Sequence, residues 1–235
     1  MRIILVLVST LLWGVLACVT GLVDRSGEGV IQIARIWACW VVKICRLQVE
    51  VKGAEGVDCA HPCIFMSNHQ SALDIVVLIA TIPTSFRFIA KKELAVIPVF
   101  GWAMAMGGHI FVDRGDRARA IVSLKQAEEK IRRGVKVILF PEGTRSRTGE
   151  LAEFKRGGFH LAIGAQVPIV PVSISGSRNR LPKRSRRLDP GVIKVVYGQA
   201  VPTQGYSVEG REQVIEKVRR GILAGMDEAL QKPTR

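Results

Sequence analysis

The sequence predicts an α/β fold in which a mixed, mostly parallel sheet is flanked by helices and preceded by an N-terminal hydrophobic helical segment that anchors the protein to a membrane. Short β-type runs alternate with helical patterns after Arg46, and helices between strands are typical of parallel sheets. Before that point the chain is strongly apolar. Within the 235 residues we expect membrane-associated helices over 1–46 and one α/β domain over 47–235.

The first element is an uncharged run from Ile3 to Val23. At about 1.5 Å per residue, a helix over this run is long enough to cross a hydrocarbon core. A cleaved signal peptide is the alternative, because Val15-Leu16-Ala17-Cys18 approximates a lipoprotein cleavage site. The apolar run continues past Cys18, which favours an uncleaved anchor.

The second apolar stretch, Val30 to Val42, contains Arg35 and two tryptophans, Trp37 and Trp40. Cations beside tryptophans are typical of a helix that lies in the headgroup region. The many basic residues that follow favour the cytoplasmic side for the α/β domain. We therefore expect the protein at the inner cell membrane, with that domain at the cytoplasmic face.

Seven short runs are the predicted strands. They are Leu47–Val51, Cys63–Met66, Phe86–Ala90, His109–Val112, Val135–Phe140, Ile169–Ile174 and Val192–Tyr197. An amphipathic helix is predicted from Asp116 to Arg133, with an acid at its start and cations at its end. A terminal helix is predicted from Ser207, with apolar residues at four-residue steps as far as Leu230. Ligands of such folds gather where strands end in loops.

The chain combines a strong positive charge with a high apolar content. Its 34 basic and 20 acidic residues give a net charge of +14, and 48% of the residues are hydrophobic. The charge attracts phosphates, and the apolar content favours a membrane surface with anionic headgroups. A nucleic-acid-binding protein would instead place aromatic residues among its cations and lack an apolar N-terminus, so we expect no nucleic-acid partner.

The five cysteines all precede residue 64. Their odd number and the apolar segments around two of them predict reduced, buried thiols and no disulfide framework. Cys59-Ala60-His61-Pro62-Cys63 has the residue types of a metal site. It lacks a convincing fourth ligand, so no metal is predicted.

A histidine and an aspartate follow the second predicted strand. Cys63–Met66 leads into Ser67-Asn68-His69, and a helix is expected to begin near Ser71, which places Asp74 in its first turn. A carboxylate bonded to one imidazole nitrogen leaves the other nitrogen free to take a proton from an alcohol. The alternative is a capping box, in which Asp74 only satisfies backbone donors.

A glycine-containing turn follows the fifth predicted strand. Its sequence is Pro141-Glu142-Gly143-Thr144-Arg145. Gly143 lets the backbone approach a ligand, and Arg145 is able to bind a phosphate through two parallel hydrogen bonds. The alternative is an ordinary turn in which Glu142 pairs with Arg145.

Two further blocks complete a pattern, although each is weak alone. Gly108 to Arg114 is a strand that ends in a charged pair, and Val167 to Val172 is an apolar strand with two prolines. In this order, the four blocks resemble the 1-acylglycerol-3-phosphate acyltransferase family, also called the glycerolipid acyltransferases. Asn68-His69 through Asp74 matches the H-x4-D motif of that family, and Phe140 to Ser146 matches its third block.

The resemblance implies that His69 and Asp74 deprotonate the acceptor hydroxyl for direct attack on a fatty acyl thioester, while Arg114 and Arg145 hold the acceptor phosphate. The predicted substrate-binding residues are Arg114, Glu142, Gly143, Thr144, Arg145 and Lys155. The reaction implied is the acylation of lysophosphatidate to phosphatidate. No cofactor is expected, because a thioester carried on coenzyme A or on acyl carrier protein is already activated.

The alternatives stay open at this point. Relatives of such enzymes acylate glycerol 3-phosphate or other lysolipids, and a basic membrane- or nucleic-acid-binding protein without catalysis is the non-enzymatic alternative. A basic segment adds a further question. Its six cations are Arg178, Arg180, Lys183, Arg184, Arg186 and Arg187. They suit either a solvated surface or contact with anionic headgroups or an acidic acyl carrier.

Overall fold

Two antiparallel helices open the chain. The computed structural model describes residues 2–113, 115–185 and 187–231. Helix α1 covers Arg2–Val23 and α2 covers Glu28–Cys45. The turn between them is held by Asp24, whose carboxylate accepts hydrogen bonds from the backbone N–H groups of Ser26 at 2.9 Å and Gly29 at 2.6 Å. This bonding fixes the direction in which α2 leaves α1.

A mixed sheet of seven strands forms the centre of the molecule. The strands are β1 (Leu47–Lys52), β2 (Ile64–Ser67), β3 (Arg87–Lys91), β4 (Ile110–Val112), β5 (Val137–Leu139), β6 (Ile169–Ser175) and β7 (Gly191–Tyr197). Their order is β1-β7-β6-β2-β5-β3-β4. Every neighbouring pair is parallel except the antiparallel pair β6 and β7. The predicted fold class is confirmed.

The other helices connect and cover the strands. They are α3 (Leu73–Thr81), α4 (Phe100–Met106), α5 (Arg117–Arg132), α6 (Gly157–Ala165), α7 (Ser177–Arg180), α8 (Arg211–Gly225) and α9 (Glu228–Gln231), with short 3-10 turns at Ala54–Gly56 and Lys92–Leu94. Helix α5 begins where the sequence predicted, because the Asp116 side chain accepts a hydrogen bond from the N–H of Arg119.

The terminal helix differs from the prediction in its length. It begins at Arg211 and ends at Gly225, and Leu230 belongs to the separate helix α9. A Cβ atom at Gly221 would lie 2.8 Å from a side-chain atom of Pro171, and one at Gly225 would lie 2.5 Å from the Ser173 hydroxyl. The glycines that weaken the helix are therefore the residues that let it pack closely against β6.

The sheet separates two hydrophobic cores. In β2, Phe65 contributes to the core beneath α2 and α3, while Ile64 contributes to the core beneath α5, α6 and α8. This alternation follows from the two-residue period of a strand. Helix α2 buries Ile31 and Val41 in the first core, and its exposed face carries Trp40. One side of α2 thus belongs to the α/β core.

The cysteines follow the prediction only in part. All five are free thiols. Cys45 and Cys63 are buried, and burial raises their pKa values to about 11 and about 12. Cys39 and Cys59 are exposed, so the prediction of buried thiols is wrong for these two, which lie on outward faces of an apolar helix and a loop.

Candidate active site

The two principal sequence motifs meet at one edge of the sheet. Strand β2 pairs in parallel with β5, with Met66 beside Leu139. His69 follows the end of β2, and Phe140 follows the end of β5. Because the carboxyl ends of parallel neighbours lie at the same edge, the two loops emerge side by side.

The predicted base and its partner are in contact. The Nδ1 atom of His69 lies 2.8 Å from Oδ2 of Asp74, and the two side chains are 13% and 0% exposed. A carboxylate only accepts hydrogen bonds, so in a neutral imidazole Nδ1 carries the hydrogen and Nε2 keeps its lone pair. That lone pair is what a general base requires.

The same carboxylate also shapes the start of α3. Its Oδ2 atom accepts hydrogen bonds from the backbone N–H groups of Gln70 at 2.6 Å and Ser71 at 2.8 Å, and the Ser71 hydroxyl accepts one from the N–H of Leu73 at 3.2 Å. These bonds form a capping arrangement. The capping bonds and the contact with His69 are therefore both present, because one oxygen makes both. The orienting role of Asp74 stays a prediction.

An aromatic ring supports the imidazole from the side. The rings of His69 and Phe140 stack with centroids 3.9 Å apart and planes at 14°. With Asp74 at one edge of the imidazole and Phe140 against its face, rotation of the ring is restricted. Phe140 belongs to the third motif block, but the motif does not predict its stacking on His69. The one sequence feature that points to this contact is the position of Phe140 directly after β5.

Glu142 joins the two loops through the backbone. Its carboxylate is buried, with Oε1 accepting from the N–H of His69 at 2.7 Å and Oε2 accepting from the N–H of Ala152 at 3.0 Å. Burial raises the pKa of this carboxyl group. Glu142 does not pair with Arg145, contrary to the alternative of an ordinary turn. Its geometry is that of a positioning residue, and direct contact with substrate stays a prediction.

The backbone of His69 is fixed on both of its sides. Its carbonyl oxygen accepts a hydrogen bond from the N–H of Ser146 at 2.7 Å, in addition to the bond from its N–H to Glu142. Both bonds come from the loop after β5. The position of His69 relative to that loop is therefore set by two separate hydrogen bonds.

Two amide side chains complete the loop after β2. Asn68 binds the backbone of Ile174 in β6 through its Oδ1 and Nδ2 atoms, at 2.7 and 2.8 Å. Gln70 donates to the carbonyl oxygen of Gly149 and to Oε1 of Gln231, each at 2.8 Å. The loop that carries His69 is thus attached to β6, to the loop after β5 and to helix α9.

The turn after β5 has the shape that the sequence predicted. Gly143 adopts φ +72°, and a Cβ atom there would lie 2.9 Å from Cε of Lys155. The backbone N–H of Lys155 donates to the carbonyl oxygen of Pro141 at 2.8 Å. The backbone conformation therefore favours glycine at this position, and the Lys155 side chain lies directly above it.

Two cations of the predicted phosphate site, Arg145 and Lys155, lie at or beside this turn. Among the described residues, the guanidinium of Arg145 has no hydrogen-bond or ion-pair partner, and Lys155 is exposed. The Thr144 hydroxyl and the Arg145 carbonyl oxygen instead accept from Nζ of Lys183, at 3.3 and 2.7 Å. Arg114 lies outside the described residues, so its part in phosphate binding stays a prediction.

An apolar cavity of about 100 Å³ lies beside α3. Its walls come from α1, α2, α3, α4 and β3, and they include Trp13, Trp37, Ile75, Ile79, Phe88 and Met104. Ile75, a wall residue of the cavity, follows Asp74 in the chain. Walls of this chemistry suit an alkyl chain.

One wall of the cavity carries His109. Its Nδ1 atom accepts a hydrogen bond from the N–H of Phe88 at 2.8 Å. Burial, together with the guanidinium of Arg87, lowers the pKa of His109 to about 3. The imidazole is therefore neutral near pH 7, and His109 adds no charge to the wall of the cavity.

Comparisons with known proteins give one consistent result. The acyltransferase family model matches residues 48–175. Human 1-acyl-sn-glycerol-3-phosphate acyltransferase alpha is 35% identical over 193 residues, which are 82% of this chain and 68% of the human protein. The chloroplastic 1-acyl-sn-glycerol-3-phosphate acyltransferase BAT2 of Brassica napus is 38% identical over 167 residues, which are 70% of this chain and 48% of that protein.

A solved structure extends the similarity to the fold. The crystal structure of the 1-acyl-sn-glycerophosphate (LPA) acyltransferase PlsC from Thermotoga maritima aligns with a TM-score of 0.77 and 29% sequence identity. The alignment covers 95% of this chain and 97% of the Thermotoga chain. The similarity therefore extends beyond residues 48–175, which the acyltransferase family model matches.

Proposed function

Because this chain belongs to the acyltransferase family of the 1-acyl-sn-glycerol-3-phosphate acyltransferases, we propose that it acylates lysophosphatidate with His69 as general base and Asp74 as its orienting partner. The predicted enzyme class, an acyltransferase of phospholipid biosynthesis, is confirmed by these relatives. The binding-protein alternatives are set aside for the same reason. The proposal concerns how this chain performs the reaction.

In the proposed reaction, Nε2 of His69 removes the proton from the free hydroxyl of the acceptor as that oxygen attacks the carbonyl carbon of the thioester. The new carbon–oxygen bond forms, and the carbon–sulfur bond then breaks. The departing thiolate takes the proton from the imidazolium. The carboxylate of Asp74, 2.8 Å from Nδ1, stabilises the imidazolium while it exists.

The acceptor phosphate is proposed to bind to Arg145, with Lys155 and Arg114 contributing. Arg145 and Lys155 have no ion-pair partner among the described residues, which leaves their charges available for an anion. Arg145 lies in the same turn as Glu142, whose carboxylate holds the backbone of His69. This bond joins the loop of the proposed base to the turn of the proposed cation, which supports binding of an acceptor with a short link between hydroxyl and phosphate.

The acyl donor is proposed to be a fatty acyl thioester carried on coenzyme A or on acyl carrier protein. The apolar cavity beside α3 supports a substrate with an alkyl chain. A thioester needs no covalent enzyme intermediate, since its carbonyl is already activated. The His69–Asp74 pair and the arrangement of the substrates are sufficient for the step.

Membrane association is supported by α1, a candidate anchor. Among the described residues it is the one helix long and apolar enough to cross a membrane. Leu7 and Leu12 on its outer face are 64% and 65% exposed. We propose that α1 attaches the protein to the inner cell membrane with the sheet at the cytoplasmic face, where the basic residues after α2 meet anionic headgroups.

The observation that carries the proposed function is the His69–Asp74 bond at the sheet edge that also presents Arg145. The test is thiol release by the full-length chain in vesicles that contain lysophosphatidate and a long-chain acyl-CoA, with phosphatidate identified as the product. Phosphatidate formed by the wild type and not by His69→Ala supports the proposal. Turnover by His69→Ala contradicts it, and a preference for glycerol 3-phosphate would favour the alternative acceptor.

A further inference from the structure

The basic segment of the chain begins with α7 and is described at residues 177–185 and 187–189. It is docked on the loop after β5. We call this segment the basic loop. Nε of Arg178 donates to the carbonyl oxygen of Arg147 at 3.1 Å, and Nζ of Lys183 donates to the carbonyl oxygen of Arg145 at 2.7 Å. The basic loop is therefore part of the surroundings of the proposed phosphate site, and not only a solvated surface.

The basic loop also touches the loop that carries the base. The Ser71 hydroxyl donates to the carbonyl oxygen of Leu181 at 2.7 Å. Lys183, two residues further on, contacts Thr144 and Arg145. The short stretch 181–183 thus spans from the His69 loop to the turn that presents Arg145.

The ammonium group of Lys183 has bonding capacity left over. A lysine ammonium has three N–H donors. Two of them are directed to the Thr144 hydroxyl at 3.3 Å and the Arg145 carbonyl oxygen at 2.7 Å. One donor and the full positive charge remain for a further acceptor.

The charges around Lys183 are of one sign. Partial loss of solvent, followed by the guanidinium groups of Arg147, Arg145 and Arg184, lowers the pKa of Lys183. An ion pair elsewhere in the basic loop joins Arg187 to Asp189 at 2.8 Å. Lys183 and its guanidinium neighbours have no such pair among the described residues. A bound phosphate dianion would offset their mutual repulsion.

We propose that Lys183 is a binding residue for the phosphate of the acceptor, supplied by the basic loop and acting beside Arg145. The inference rests on the proposed acylation of lysophosphatidate and adds a residue to that site. The phosphates of a coenzyme A donor have the same chemistry, so the test must separate acceptor from donor.

The experiment compares Lys183→Gln, Lys183→Arg and the control Arg187→Gln in the vesicle assay, with acceptor and donor varied separately. Glutamine keeps a hydrogen-bond donor for the two existing contacts and removes the charge, whereas arginine keeps the charge. Arg187 lies in the same loop but already pairs with Asp189. Thermal unfolding of each variant checks that the fold is retained.

We expect Lys183→Gln to raise the KM for lysophosphatidate about ten- to hundredfold, as loss of one hydrogen bond to a charged group implies. Its kcat and its KM for the acyl thioester should change little. Lys183→Arg and Arg187→Gln should remain close to the wild type.

Three results would overturn the inference. They are an unchanged acceptor KM in Lys183→Gln, a rise in the donor KM instead, and equal defects in Lys183→Gln and Lys183→Arg, which would indicate a structural role only. A wild-type enzyme without activity toward lysophosphatidate would instead overturn the proposed function on which the inference rests.

Discussion

The backbone N–H of His69 donates a hydrogen bond to Oε1 of Glu142 at 2.7 Å, across 73 residues of sequence. This bond joins the loop after β2 to the loop after β5. The loop that carries the proposed base and the turn that carries Arg145 are therefore joined directly. In the proposed mechanism, positioning of this kind contributes to catalysis without any contact between Glu142 and the substrate.

Glu142→Gln should lower kcat while the fold remains. The amide has one acceptor oxygen, so one of the two backbone N–H groups bonded to Glu142 would face an NH2 group instead. Loss of a hydrogen bond to a charged group costs about 1.5–3 kcal/mol. We expect kcat to fall by up to about ten- to hundredfold, the limit reached when the whole cost raises the activation free energy. Thiol-release kinetics measure the effect, and Glu150→Gln, an exposed glutamate in the same loop, is the control. An unchanged kcat would remove the positioning role.

Asp74→Asn should lower kcat by about 10²–10⁴-fold, the range for loss of general base catalysis. An amide in place of the carboxylate weakens the bond at Nδ1 and the stabilisation of the imidazolium. The variant should also unfold at a lower temperature, because the Asp74 carboxylate accepts hydrogen bonds from the backbone N–H groups of Gln70 and Ser71 and the substitution weakens them. Steady-state kinetics and calorimetry separate the two effects. Near-normal kcat in a destabilised protein would leave Asp74 with the capping role alone.

Arg145→Ala should chiefly raise the KM for lysophosphatidate. The guanidinium is proposed to hold the acceptor phosphate through charge-assisted bonds, and their loss weakens binding by about ten- to hundredfold. Kinetics with acceptor and donor varied separately test this, with Arg132→Ala on α5, which pairs with Glu128 at 2.7 Å, as the control. If only the donor KM rose, Arg145 would belong to the donor site.

Lowering the pH below about 6.5 should decrease the free energy of unfolding because of His109. Its pKa is about 3 in the folded protein against an ordinary value of 6.5, so the unfolded chain binds the extra proton first. Above about pH 6.5 this group does not change the free energy of unfolding. Between about pH 6.5 and pH 3 the free energy of unfolding falls by about 1.4 kcal/mol for each pH unit. His109→Gln should have a smaller loss of unfolding temperature between pH 7 and pH 5 than the wild type. The exposed His61→Gln should behave as the wild type, and identical profiles for all three would contradict the assignment.

Leu12→Asp should weaken attachment to vesicles. Leu12 is 65% exposed on α1, and an aspartate within a membrane segment costs about 2.5–3.5 kcal/mol. Vesicle flotation measures the change. Leu223→Asp is the control, since Leu223 is also exposed but lies on α8, on the opposite side of the sheet from α2 and α3. Equal flotation of the two variants would remove α1 as the anchor.

Features encoded within a few residues were predicted well. The seven strands lie where apolar β-branched runs occur, and α5 begins at the Asp116 cap. His69 follows β2 and Arg145 follows β5, as local patterns indicated. The terminal helix was predicted too long. Its close approach to β6 at Gly221 and Gly225 was not predicted, because β6 lies far away in the sequence.

The sequence by itself determined the fold class, the family and the residue types available for chemistry, since these follow from short-range periodicity and from motifs read along the chain. Only the tertiary structure decided that one oxygen of Asp74 accepts the N–H of Ser71 and contacts His69, that Phe140 stacks on the imidazole, and that the basic loop docks through Lys183. The contacts of Phe140 and Lys183 join loops whose distance is set by the order of strands in the sheet. That order depends on how the whole chain packs, and no local pattern specifies it.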